Sequence, residues 1–127
     1  MTHSHTVRVP LPPERAFHLF TPVGERAWAP GWDPVFPDGE QGDGAAPGTV
    51  FLTGESIWVV VDREPDRVRY ARVLPGVRAG TVEVRLRADG PHALADVTYE
   101  TTALGDEPFD PEIAHWEEAI RAALPAS

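Results

Sequence analysis

Short runs of alternating apolar and polar residues fill the second half of the chain. In residues 82–86, VEVRL, the two valines and the leucine share one face of an extended segment, and the charged residues share the other. This alternation indicates a strand with one buried face. Similar patterns, separated by proline and glycine turns, predict strands at residues 48–54, 56–63, 67–74, 78–88 and 94–103. Because the connections are short, we expect an antiparallel meander.

The first part of the chain predicts one further strand and two short helices. Residues 4–11 alternate in the same way, and residues 12–20, PPERAFHLF, begin with prolines, which the first turn of a helix tolerates. Thr21 can cap a second short helix, which should end before Pro30.

The chain ends with a predicted amphipathic helix. Asp110 is a suitable N-cap, and at about 100° per residue the side chains of Ile113, Trp116 and Ile120 fall on one side. An antiparallel sheet with one apolar face needs a cover, and this helix is the long amphipathic element that the pattern offers.

These elements predict an α+β fold: a curved antiparallel sheet of six to seven strands wrapped on a long C-terminal helix, with two short helices after the first strand. At 127 residues, the chain fits a single domain, residues 1–127, with one core. A curved sheet around one helix tends to leave a space that is open at one end. We expect the short helices and the glycine-rich loop at residues 37–48, a flexible connection, to form that mouth.

Residues 21–36, TPVGERAWAPGWDPVF, combine two tryptophans with three prolines and two glycines. Proline and glycine usually mark a surface turn, whereas aromatic bulk usually lies in a core. Because this segment joins the first strand to the main sheet, it should cross the open end, where Trp28 and Trp32 would line the mouth of the cavity. Alternatively, both indoles only seal the core.

The composition narrows the range of partners. The net charge of −9 argues against nucleic acid and against anionic membrane surfaces, because both repel an acidic protein. The chain has no cysteine, and no stretch approaches the roughly 18 apolar residues of a membrane span. The N-terminus lacks the apolar run of a signal peptide, so we expect a cytoplasmic protein.

Several local sequences add to the order of the elements: LPPERAFHLFTPVGERAWAPGWDPVF, GTVFLT, SIWVVVD, RYARVLPGVRAGTVEV, VTYETTALG and HWEEAI. Together they resemble the SRPBCC superfamily, which includes START domains, birch-pollen-allergen-like proteins and polyketide cyclases, and in particular its small bacterial cyclase- or dehydrase-like members. The resemblance covers essentially the whole chain and is most specific in GERAWAPGW. It implies a helix-grip fold with an internal apolar cavity. It implies much less about function, which varies across the superfamily.

Arg72 is the most notable polar residue of the predicted sheet. Strand parity turns Val68 and Tyr70 inward and carries Arg72 with them. A guanidinium inside a cavity needs an anion, which a ligand carboxylate or phosphate could supply. Alternatively, Arg72 pairs with a carboxylate such as Glu25, or it lies in water at the end of the sheet.

Glu25 is the candidate acid or base, since it lies on a short helix beside Trp28. An apolar pocket would raise its pKa and suit it to catalysis, with Arg72 as the second candidate catalytic residue. The alternatives are a solvated helix residue and a salt bridge to an arginine.

Aromatic residues supply the other candidate ligand contacts. Strand parity places Tyr70 and Tyr99 on the cavity side, and Trp116 lies on the apolar side of the last helix. Both faces of residues 56–61, SIWVVV, are apolar, so parity is ambiguous there, and we place Trp58 on the cavity side as well. Each could contact a ligand or fill the core. No pair of histidines has the i,i+4 spacing of a helical metal site, so we expect no metal, and we also expect no organic cofactor.

The favoured function is the binding of a small hydrophobic or aromatic molecule between the sheet and the C-terminal helix. The alternative is a cofactor-independent enzyme of the cyclase, dehydratase or hydrolase kind, which would use the same cavity. The third possibility is a homo-oligomeric interaction module, such as a homodimer through an exposed sheet edge or the surface around Trp28 and Trp32.

Overall fold

Six strands form one antiparallel sheet in the computed structural model, which describes residues 1–109 and 113–124. The strands are β1 (Thr2–Val9), β2 (Val50–Thr53), β3 (Ser56–Glu64), β4 (Arg67–Leu74), β5 (Arg78–Asp89) and β6 (His92–Ala103). Their order across the sheet is β1-β6-β5-β4-β3-β2. Strands β2 to β6 therefore form the predicted meander, and β1 extends it beyond β6. The predicted α+β class is confirmed.

The strand β1 begins earlier than residue 4, the predicted start. Thr2 is already in register with Glu100 of β6, and the backbone N–H of Thr101 donates to the carbonyl of Met1 at 2.9 Å. The pairing with β6 holds this end of the chain although its side chains are mostly polar.

The inner face of the sheet carries the core, as strand parity predicts. Val82, Val84 and Leu86 of β5 are buried, and the charged residues between them face outward. In β3 the register of pairing with β4 shifts between Val60 and Asp62. This bulge and the apolar character of both faces explain why parity alone left the orientation of β3 ambiguous.

The helices are short, and several are 3₁₀ turns. The helix α1 (Pro13–Ala16) continues as a 3₁₀ helix over Phe17–Phe20, and a second 3₁₀ helix covers Gly24–Ala27. At the C-terminal end a 3₁₀ turn, Ile113–His115, leads into α2 (Trp116–Ala123). The regular helix is thus shorter than predicted, because its first described turn is wound more tightly. The predicted N-cap Asp110 lies outside the described residues. No described helix has the length and apolar character to cross a membrane.

The middle of the glycine-rich loop makes tertiary contacts that its composition does not predict. Asp43 forms an ion pair with Arg63 at 2.9 Å, and its carbonyl accepts a hydrogen bond from the N–H of Val23 at 3.1 Å. Ala45 is completely buried. The loop is therefore packed onto β3 and onto the segment that carries the tryptophans.

Candidate functional site

A cavity of about 280 Å³ lies between the inner face of the sheet, the segment after α1 and the helix α2. Every residue that the sequence singles out as a site candidate lines it: Glu25, Trp28, Trp32, Trp58, Tyr70, Arg72, Tyr99 and Trp116. The structure therefore brings together residues from five separate parts of the chain. Their roles in ligand binding or catalysis stay predictions.

The GERAWAPGW segment is shaped by its two glycines. A Cβ on Gly24 would lie 1.6 Å from the carbonyl oxygen of His18, so a larger residue cannot occupy this position without a backbone shift. The hydroxyl of Thr21 accepts the N–H of Gly24 at 3.0 Å, which fixes the start of the 3₁₀ turn. Gly31 has a φ of +71°, which favours glycine. The turn places Glu25 and Trp28 on the cavity side.

Three of the tryptophans line the cavity with their rings and do not offer it their indole N–H groups. Trp28 and Trp32 donate their indole N–H groups to the backbone carbonyls of Leu19 and Pro22, at 2.6 and 2.7 Å. The indole of Trp58 donates to a threonine hydroxyl of β2 at 2.8 Å. Because these donors are satisfied within the protein, the three rings present apolar surface to the cavity.

Contacts between rings make this wall continuous. Trp28 and Trp116 meet edge to face at 5.3 Å, and Trp32 meets Trp58 in the same way at 5.7 Å. Phe51 stacks on Trp58 with 6° between the ring planes. The sheet, the tryptophan segment and α2 therefore hold one another in place around the cavity.

Glu25 is partly buried on the cavity side and forms no side-chain hydrogen bond or ion pair within the described residues. Burial raises the pKa of its carboxyl group well above the usual value. The alternative of a salt bridge between Glu25 and an arginine is therefore not present there. A protonated Glu25 would offer the cavity a hydrogen-bond donor, and an ionised one a base.

Arg72 points into the cavity among aromatic rings. Its Cζ lies 5.1 Å from the ring centre of Trp58, 5.9 Å from Tyr99 and 5.5 Å from Phe109. Burial and the nearby charge of Arg78 lower its pKa, but a guanidinium remains charged at physiological pH. Within residues 1–109 and 113–124 no ion pair includes Arg72, so the alternative of a pair with Glu25 is wrong.

The two tyrosines differ in how their hydroxyl groups are used. Tyr70 donates to the carbonyl of Phe20 at 2.8 Å, which ties β4 to the segment after α1. Burial raises the pKa of both phenols, so both stay protonated at neutral pH. Tyr99 makes no hydrogen bond through its hydroxyl to another described residue, so it is the better candidate for contact with a ligand.

Sequence reasoning missed four residues that shape the site. Phe51, His115 and Ala119 line the cavity, and Phe109 covers Arg72. Phe109 is a lone aromatic residue in an otherwise polar loop, and this contrast in the sequence could have indicated that its ring packs inward. Across the part of the chain that is described, no group of three or more metal-ligating side chains occurs. The expectation of no metal and no cofactor stays a prediction.

Comparison with known proteins gives likeness in structure rather than in sequence. No protein-family model and no curated protein matches the chain. Among solved structures, CalU16 from Micromonospora echinospora matches with a TM-score of 0.64 at 20% identity, over 80% of this chain and 59% of its own. Ara h 8.0201 matches with a TM-score of 0.62 at 17% identity, over 97% of this chain and 93% of its own. DynU16, from the dynemicin biosynthetic locus, matches with a TM-score of 0.59 at 17% identity, over 95% of this chain and 42% of its own.

These matched structures share the SRPBCC fold, so this chain is an α+β protein of the helix-grip class. More specifically, it has the fold of the SRPBCC superfamily, as the local sequences indicate. The chain spans only about half of the length of CalU16 and DynU16. At these identities the likeness concerns the fold and leaves function to the site itself.

Proposed function

We propose that this chain binds a small hydrophobic or aromatic molecule in the cavity between the sheet and α2. The observation that carries the proposal is the wall, in which all four tryptophans surround one space of about 280 Å³. This volume lies just below the roughly 300–1,000 Å³ of typical ligand pockets, which favours a compact ligand. Few polar groups reach the cavity, as is usual for sites that recognise apolar molecules.

A pair of substitutions on α2 tests the proposal. Ala119 lines the cavity, whereas Ala122 is exposed on the same helix. We expect Ala119→Leu to occupy ligand space and weaken binding by roughly tenfold or more, which corresponds to about 1.4 kcal/mol. Ala122→Leu should leave the affinity unchanged. Calorimetric titration with compact aromatic compounds, chosen first by thermal-shift screening, measures both.

The proposal fails if no compact aromatic compound raises the melting temperature. It also fails if the two leucine variants bind a screened ligand equally well, because the ligand then lies outside the cavity.

A cofactor-independent enzyme is the second candidate, and Glu25 is the observation that favours it. The carboxyl group of Glu25 has no partner among the described residues, has a raised pKa, and shares its cavity with a guanidinium. It is therefore suited to proton transfer beside a polarised carbonyl. Glu25→Gln should abolish turnover of a candidate substrate while its binding persists. Glu55→Gln, in the exposed turn between β2 and β3, is the control. An unchanged rate in Glu25→Gln would remove this assignment.

The homodimer stays a prediction, and its two suggested surfaces differ in how much apolar area they expose. Trp28 is buried and Trp32 is partly buried, and both line the cavity, so the surface around them exposes little aromatic area. The outer face of β3 and β4 does expose apolar side chains, with Ile57, Val61 and Val73 between 40% and 50% accessible. Light scattering over a range of concentrations tests for the homodimer, since a constant monomer mass would exclude it.

A further inference from the structure

We propose that the ligand of this cavity is an aromatic carboxylic acid whose carboxylate binds Arg72. This inference rests on the proposed binding function and names the chemical class of the ligand. Three features of the structure support it, each concerning the surroundings of the guanidinium.

The first feature is a charge without a counter-ion. No carboxylate of the described residues lies within ion-pair distance of Arg72, and no hydrogen bond from its guanidinium reaches a described acceptor. The rings of Trp58, Tyr99 and Phe109 stabilise the positive charge through their faces. Rings in this arrangement supply no acceptor for the N–H donors, so the donors remain available to a ligand.

The second feature is that Glu25 does not neutralise Arg72, although both line the same cavity. A paired carboxylate would have a lowered pKa, whereas burial raises that of Glu25 and no opposing effect of Arg72 accompanies it. The carboxyl group and the guanidinium therefore act as separate contact points for a ligand.

The third feature is a second positive charge. The Cζ of Arg78 lies 4.8 Å from the ring centre of Phe109, the ring that Arg72 also approaches, and its charge is close enough to disfavour that of Arg72. Arg78 itself does not line the cavity. Two guanidinium groups therefore approach the same ring at this end of the cavity, which favours an anion there.

Carboxylate fits this site better than phosphate. A single guanidinium lines the cavity among the described residues, and its planar fork matches a planar monoanion bidentately. A phosphate dianion calls for additional donors. The indole faces around the rest of the space fit the aromatic part of the acid.

Calorimetric titration with 2-naphthoate and 2-naphthamide tests this, because the two probes share ring and shape and differ in charge. The wild-type chain should bind 2-naphthoate at least roughly tenfold more tightly than 2-naphthamide. Arg72→Met removes the guanidinium and keeps an unbranched apolar chain. It should weaken 2-naphthoate binding by roughly 10- to 100-fold, with little effect on 2-naphthamide. Arg69→Met, on the outer face of the same strand, is the matched control, and it should leave the preference unchanged.

Equal affinity of the wild-type chain for the two probes would overturn the inference and leave the proposed function standing. The same holds if neither probe binds while screening finds a neutral aromatic ligand. If no aromatic compound binds at all, both proposals fail. If the Arg72→Met variant does not fold, the comparison of the two probes on the wild-type chain still decides, because it needs no substitution.

Discussion

Two residues of opposite formal charge, Glu25 and Arg72, face one cavity without forming an ion pair. Strand parity was sufficient to predict that Arg72 points inward, because it follows Val68 and Tyr70 on one face of β4. Parity could not predict its partners, because the ring of Phe109 reaches it from a loop that is distant along the chain. The environment of Glu25 likewise depends on tertiary packing, which the local sequence does not encode.

The raised pKa of Glu25 predicts how stability depends on pH. The unfolded chain releases this proton near the usual pKa of 4.5, whereas the folded chain keeps it to higher pH. The folded state is therefore favoured by protonation, and this contribution is lost as the pH rises from about 4.5 through the raised pKa. Glu25→Gln removes this pH dependence. The melting temperature of the variant should therefore rise relative to that of the wild-type chain as the pH increases over this range.

Thermal unfolding from about pH 4 to about pH 8 measures this difference. Tyr70, Tyr99, Arg72 and His115 line the same cavity, and both chains keep them, so their contributions largely cancel in the comparison. Glu55→Gln should show no such trend. A constant difference between Glu25→Gln and the wild-type chain at every pH would contradict the assigned burial.

At the level of elements, alternation and turn residues predicted the strands well, because hydrophobic periodicity and turn residues are local properties of the sequence. The bounds of the C-terminal helix were less predictable. The amphipathic pattern is the same whether Ile113–His115 winds as an α-helix or as a 3₁₀ turn, and tertiary packing decides between them. The tertiary contacts of the glycine-rich loop were not predictable, because its partners, such as Arg63, lie on a distant strand.

The GERAWAPGW segment gives a prediction at this scale from its two glycines. Gly24→Ala should destabilise the fold by about 3 kcal/mol, because the new Cβ meets the His18 carbonyl. Gly31→Ala should cost only about 1 kcal/mol, because nothing lies within 4 Å of its Cβ and the positive φ alone is unfavourable.

Chemical denaturation of the two alanine variants measures these free energies of unfolding. Equal losses for the two would show that the close contact of Gly24 with His18 does not shape this turn.

At the level of the whole molecule, the order of elements was sufficient to predict a curved sheet gripping a helix with a space between them. The volume of that space was not predictable, because it depends on how the rings of Trp28, Trp32, Trp58 and Trp116 pack across three separate elements. The same packing makes the four indoles reporters of the cavity.

The most direct measurement of the central claim is a two-dimensional ¹H–¹⁵N NMR titration with the tightest ligand from the thermal-shift screen. All four tryptophan side chains line the cavity, whereas Ile57, Val61 and Val73 lie on the outer face of the sheet. Binding in the cavity predicts that the four indole N–H signals shift along one saturating curve while the backbone amide signals of the outer face stay in place. Shifts confined to the outer face, with unchanged indole signals, would contradict the claim.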